Sequence, residues 1–110
     1  MLRVVQILTI ILTGIALAPA WAHAFEFPGK KRLNRNTYVA VQTIYYPGFT
    51  LLGASEPLAL VGAIVLLMLI PPESGSFWLT LLASISLLCM QVIYWSRTHP
   101  TNRLWLQAQP

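Results

Sequence analysis

Three long apolar runs limit what this chain can become. Residues 4–24 carry no Asp, Glu, Lys or Arg, residues 49–70 are broken only by Glu56, and residues 77–96 hold Gln91 as their one strongly polar member. Each run is about 20 residues, so as a helix each is roughly 30 Å long, the thickness of a bilayer's hydrocarbon core. Of the 110 residues, 56% are hydrophobic and 9% charged. A soluble domain carries about 25% charged residues, so there is too little polar surface to clothe a water-soluble globule. The expected fold is all-α: one membrane domain, a bundle of three transmembrane helices surrounded by lipid. The basic residues flank the apolar runs instead of striping a polar face, which argues against nucleic-acid binding. Cys89 is the single cysteine and lies inside the third run, where it reads as a small buried hydrophobe.

The segments between the runs fix the organisation. Pro71-Pro72-Glu73-Ser74-Gly75-Ser76 is a tight turn, so the second and third helices form an antiparallel hairpin. The longer connection after the first run begins at Pro28-Gly29, expected to stop the first helix. Asn34 or Asn36 can then cap a new helix through a side-chain oxygen. Tyr38, Val41, Ile44 and Tyr45 fall on one helical face behind Lys30, Lys31, Arg32 and Arg35. This pattern predicts an amphipathic interfacial segment over residues 36–46 with a tyrosine belt. A helix running unbroken from Tyr38 to Ile70 would be about 50 Å long and too long to span, so a bend is expected near Pro47. Residues 97–110 read as a polar tail.

The end of the first run has two readings. Met1-Leu2-Arg3, an apolar core and Ala22-His23-Ala24 fit a secretory signal with a cleavage site. Against this, the apolar segment is longer than a signal core of roughly 7–15 residues. Lys30, Lys31, Arg32 and Arg35 would also have to be translocated directly behind it, opposing the positive-inside bias. An uncleaved helix is the expectation. Three spans put Lys30, Lys31, Arg32, Arg35, Arg97 and Arg103 on one side and Arg3 on the other. The first loop and the C-terminus are therefore expected in the cytoplasm and the N-terminus outside.

With that topology the polar groups of the apolar runs gather at one end. His23 and Glu26 close the first helix, Glu56 lies just inside the second, Gln91 just inside the third, and His99 and Asn102 lie beyond it. Counted at 1.5 Å per residue, Glu56 and Gln91 reach similar depths, roughly 8–10 Å in. Inward faces are expected at Thr9, Thr13, Ala16, Ala20 and His23, at Gly53, Glu56, Ala59 and Ala63, and at Thr80, Ser84, Leu87, Gln91, Tyr94 and Thr98. Small and hydroxyl residues of this kind let helices approach closely in lipid. An intramembrane carboxyl is costly and normally faces protein or water. Glu56 is thus either a proton-handling or substrate-contacting group, or it bonds Gln91 or a tyrosine hydroxyl to hold the bundle. Pro57 frees the carbonyl of Gly53 beside it. His23 and Glu26, one helical turn apart, suit a base and its orienting carboxylate. They could equally cap the helix end beside Lys30 or Lys31, or supply metal ligands with His99, although the spacing fits no dedicated metal motif. Trp95 and Trp105 read as interfacial anchors. No nucleotide loop, Ser-His-Asp set, haem motif or CxxC is present.

Ala22-His23-Ala24-Phe25-Glu26-Phe27-Pro28-Gly29-Lys30, the segment from Tyr38 to Pro47-Gly48-Phe49, Ser55-Glu56-Pro57, and Tyr94-Trp95 with Thr98-His99-Pro100-Thr101-Asn102-Arg103-Leu104-Trp105 together resemble the anthrone-oxygenase-like family of small bacterial membrane proteins. The similarity extends over about residues 12–105. The resemblance implies a four-helix bundle in the inner membrane. It also implies, for some relatives, oxidation of anthrones to anthraquinones without a metal or organic cofactor. Carried over by position, His23, Glu26, Glu56, His99 and Asn102 become the site candidates, the first three as catalytic groups and the last two as substrate-binding ones; Gln91 and Tyr45 join them as substrate-binding candidates from their own positions beside these groups. The fourth helix has no counterpart after Trp105, so a homo-oligomer or a partner membrane protein is expected to complete the bundle. Two functions stay open. One is cofactor-independent oxidation of a lipophilic phenol; the other is a non-catalytic membrane subunit of a larger assembly.

Overall fold

A computed structural model describes residues 1–108. It is built of helices α1 (Leu2–Lys30), α2 (Arg35–Val41) with a 3-10 turn (Gln42–Tyr45), α3 (Gly48–Gly53), α4 (Ser55–Leu69), α5 (Gly75–Ile93) with a π-helical turn (Tyr94–Thr98), and α6 (His99–Gln107). Three continuous stretches are long and apolar enough to cross a membrane: Leu2–Lys30, Gly48–Leu69 and Gly75–Gln107. The molecule is an elongated body of 54 × 23 × 21 Å.

α4 is the central element. α1 packs on one side of it and α5 on another, and these two flanking helices pack on α4 instead of on each other. The buried α4 residues Ala59, Ala63 and Leu66 recur at four and three, one face of a helix. Ala59 and Ala63 form the core with Leu87 of α5, joined at the edges by Leu12, Leu60 and Met90. Alanine at the centre brings backbones close, and Gly62 carries this furthest. A Cβ there would overlap the Thr9 hydroxyl and lie 3.3 Å from Thr9 Cβ. On α1 the buried positions are Thr9, Ala16 and Pro19. Ala20 and His23, expected on the same inward face, are exposed, as is Thr98 on the third. Thr9 and Ala16 are followed at the next step by Pro19, so the contact stripe passes beside Ala20.

Several boundaries differ from expectation, each for a local reason. Pro28 does not stop α1. It lies within the last turn, where the loss of one backbone donor is tolerated, and the Lys31 amide still bonds the Phe27 carbonyl at 3.0 Å. The helix thus runs to Lys30, six residues past the expected end at residue 24. Of the two possible caps, Asn34 starts α2, its side chain accepting from the Thr37 amide at 2.9 Å. The expected face of Tyr38, Val41, Ile44 and Tyr45 is replaced by Val39, Gln42 and Tyr45. The chain tightens to a 3-10 turn at Gln42, and three residues per turn bring every third side chain inward, leaving Ile44 exposed.

The expected bend falls at Tyr46–Pro47, where Tyr46 is extended and α3 begins at Gly48. The helix expected over residues 49–70 runs over Gly48–Leu69, interrupted by one turn residue, Ala54, between α3 and α4. Pro57 offers no N–H to Gly53, the helix breaks at Ala54, and the Ser55 hydroxyl bonds back to the Leu52 carbonyl at 2.6 Å. After the turn, Ser74 caps α5 by accepting from the Phe77 amide at 3.2 Å. The expected polar tail is instead helical through Gln107; its final two positions, 109 and 110, lie outside the described residues. Pro100 supplies no donor to Ser96, and the wide π turn directly before it absorbs this interruption without ending the helix. The His99 amide there bonds the Tyr94 carbonyl.

Candidate functional site

The polar residues form two neighbouring groups. The first gathers at the end of α1. The hydroxyl of Tyr45 donates to Oε2 of Glu26. His23 Nδ1 stands 3.9 Å from the same oxygen, too far for a hydrogen bond, so the carboxylate acts on the imidazole through charge alone. The His23 ring meets Tyr45 edge-on at 4.7 Å between centroids and Phe49 at 5.0 Å, and Tyr45 and Phe49 pack together at 5.0 Å. The short helix α3 positions Phe49, and the 3-10 turn positions Tyr45. Lys30 does not pair with Glu26. Its ammonium donates to Oε1 of the buried Gln42 at 3.1 Å and lies over the rings of Tyr45 at 4.7 Å and Tyr38 at 5.2 Å.

Tyr45 is the best-enclosed member, 7% exposed. Burial, then the hydrogen bond to Glu26, raises its phenol well above the ordinary value. The group stays neutral and donating, which is what the Glu26 carboxylate needs in order to remain bonded. His23 by contrast keeps 47% of its side chain exposed, and Glu26 37%.

The second group links α4 to α5. Gln91 Nε2 donates to Oε1 of Glu56 at 2.9 Å, and Gln91 Oε1 accepts from the indole N–H of Trp95 at 3.2 Å. The amide therefore uses both ends, joining a carboxylate on one helix to an indole four residues along its own. His99 stacks obliquely on Trp95 at 5.1 Å and on Tyr94 at 6.0 Å, brought there by the π turn. Tyr46 approaches Tyr94; burial and that neighbouring phenol push its own phenol up. Consecutive tyrosines thus reach the two groups, Tyr45 the first and Tyr46 the second.

Of the residues expected to act together, the structure joins His23, Glu26 and Tyr45 in one group, and Glu56 and Gln91 in the other with His99 beside them. Among the described residues no hydrogen bond or ion pair connects the two groups, and half-buried Asn102 bonds neither. Three or more His, Cys, Asp or Glu side chains do not converge on a metal-sized site among the described residues. Lys30, expected beside this helix end, and Phe49 belong to the first group, together with Gln42, which the sequence did not single out. Gln42 had a signal, its place three residues before Tyr45, visible only once the turn is taken as 3-10.

Two cavities lie near these groups. An apolar furrow of about 630 Å³ runs along α4 between α1 and α5, with Thr13, Ala16, Ala63, Leu66, Leu87 and Met90 among its walls. A basic recess of about 370 Å³ lies beyond the end of α1. Neither is lined by His23, Glu26 or Glu56. Comparison with family models, curated proteins and solved structures finds no match to this chain.

Proposed function

We propose that this chain is a three-span integral membrane protein of the anthrone-oxygenase-like kind that acts as a non-catalytic subunit of a larger membrane assembly. Its seat is the bacterial inner membrane, with the N-terminus outside and the C-terminus in the cytoplasm. The observation that carries this is the commitment of the polar side chains. Glu26 is bonded by Tyr45 and Glu56 by Gln91, and neither the furrow nor the basic recess is lined by His23, Glu26 or Glu56. Buried polar pairs of this kind hold helices in register, and in lipid they are worth about 0.6 to 2 kcal/mol each. The partner is a membrane chain, a second copy or another protein, lying against the helices flanking α4.

Cofactor-independent oxidation of a lipophilic phenol is the second reading, favoured by one observation. The furrow has the volume of a small-ligand pocket, roughly 300–1,000 Å³, and its wall ends at Met90, next to Gln91. In that reaction a substrate would have to extend beyond the furrow to His23, which would take the phenol proton; dioxygen would be the oxidant, one of its oxygen atoms becoming the new carbonyl and the other leaving as water.

Substituting Glu56 separates the two. As a tie between α4 and α5, Glu56→Leu lowers the melting temperature in detergent while Glu56→Gln, which keeps a hydrogen bond to Gln91, restores most of it. A strained catalytic carboxyl would instead give a more stable protein on removal. Oxygen-consuming turnover of an anthrone by the purified protein, lost in His23→Ala, would overturn the subunit role.

A further inference from the structure

The basic recess beyond α1 has no part in either polar group's bonding pattern apart from Lys30. Its walls are Lys30, Lys31, Leu33, Arg35, Tyr38 and Trp105. Three basic residues thus line one cavity of about 370 Å³, and no acidic residue does. The carboxylates nearest in the fold, Glu26 and Glu56, are already bonded to Tyr45 and Gln91. Lys30 is held by Gln42 at 3.1 Å and Lys31 lies over the ring of Phe27 at 5.3 Å. Among the described residues the Arg35 guanidinium has no hydrogen bond or ion pair, so its fork of donors is uncommitted. Tyr38 and Trp105 pack at 5.1 Å between ring centroids, which ties α6 to α2 and closes the recess from one side. Leu33 gives it one apolar wall.

We infer that this recess binds the phosphate of a phosphate ester. Arginine presents parallel N–H donors matched to phosphate oxygens, lysine ammoniums add point charge, and the amphipathic rings suit the ester's less polar remainder. Two sources offer this chemistry: the headgroup of an anionic lipid and a soluble phosphorylated solute. The lipid source rests on the bundle lying in a bilayer, which would set Lys30, the last residue of α1, at headgroup level, where basic pockets take anionic lipids.

Native mass spectrometry of the full chain released from detergent tests this. One arm adds phosphatidylglycerol, a second phosphatidylcholine, and a third inorganic phosphate with glycerol phosphate. The chain should retain a phosphate-bearing ligand in the first or third arm. The paired substitution of Lys31→Gln with Arg35→Gln should weaken that retention at least tenfold at an unchanged melting temperature. Arg97→Gln with Arg103→Gln removes the same charge away from the recess and should leave retention intact. Retention in the first arm that phosphate does not displace assigns the lipid; displacement by millimolar glycerol phosphate assigns the solute. No retention in both the first and third arms, retention of phosphatidylcholine that the Lys31 and Arg35 pair does not weaken, or equal weakening by the Arg97 and Arg103 pair, overturns the site. A recess pair that lost its fold would be replaced by Arg35→Lys, for which loss of the fork predicts weaker retention and a merely electrostatic patch predicts none.

Discussion

Thr9 and Gly62 mark a tight contact between α1 and α4. The Thr9 hydroxyl is buried without a hydrogen-bond partner and fills the space that a Gly62 side chain would need. Gly62→Ala should therefore destabilise the protein by about 1–3 kcal/mol, the usual cost of overpacking. Adding Thr9→Ala should recover most of this, because it makes room and removes an unsatisfied hydroxyl; thermal melts of the four combinations measure the coupling. Tyr45 gives a second residue-scale prediction. Its phenol is raised above the ordinary 10.0, so from about pH 10 upward the unfolded chain releases a proton that the folded chain keeps. Stability then falls with rising pH and is unaffected by this group below that value. Tyr45→Phe should flatten this alkaline loss and cost about 1.5 kcal/mol at neutral pH through the missing bond to Glu26. Much at this scale was legible: equal depth in antiparallel helices is enough to bring Glu56 and Gln91 together, and i to i+3 spacing to bring His23 near Glu26. The Lys30–Gln42 bond was not, because it depends on how the chain turns between them.

At the scale of elements, the apolar lengths and the turn residues located the helices, and Pro28 misled about the end of the first. Pro28, Pro57 and Pro100 each remove one backbone donor. The outcome is a continued helix at Pro28, a break at Ala54 and a π turn at Tyr94–Thr98. Which of these wins depends on the neighbouring bonds and packing, which spacing along a sequence does not carry. The caps are more local and read more easily. Asn34 and Asn36 were equal candidates by type, and the structure uses Asn34. Asn34→Ala should then cost about 1 kcal/mol and loosen α2, seen as faster amide exchange at Thr37 and Tyr38. Asn36→Ala should change neither by more than a few tenths of a kcal/mol.

For the molecule as a whole, exposed apolar side chains outweigh the buried ones. Ile10, Leu51, Met68, Leu79 and Leu82 among others stand largely open, and the core is a strip of small residues along α4. In water such a body would aggregate; in lipid, with small residues setting helix contact, it is an ordinary arrangement. The three-span topology we propose is supported by this and by the distribution of Lys30, Lys31, Arg32, Arg35, Arg97 and Arg103 between the first loop and the C-terminal segment. Cysteine labelling in spheroplasts of a bacterial host tests it most directly. With Cys89→Ser as background, a cysteine replacing Glu73 should react with an impermeant maleimide in intact cells, whereas cysteines replacing Arg35 or Gln107 should react only after permeabilisation. Labelling of the Arg35 position from outside, or release of the chain from membranes with its mature start at Phe25, would contradict the account.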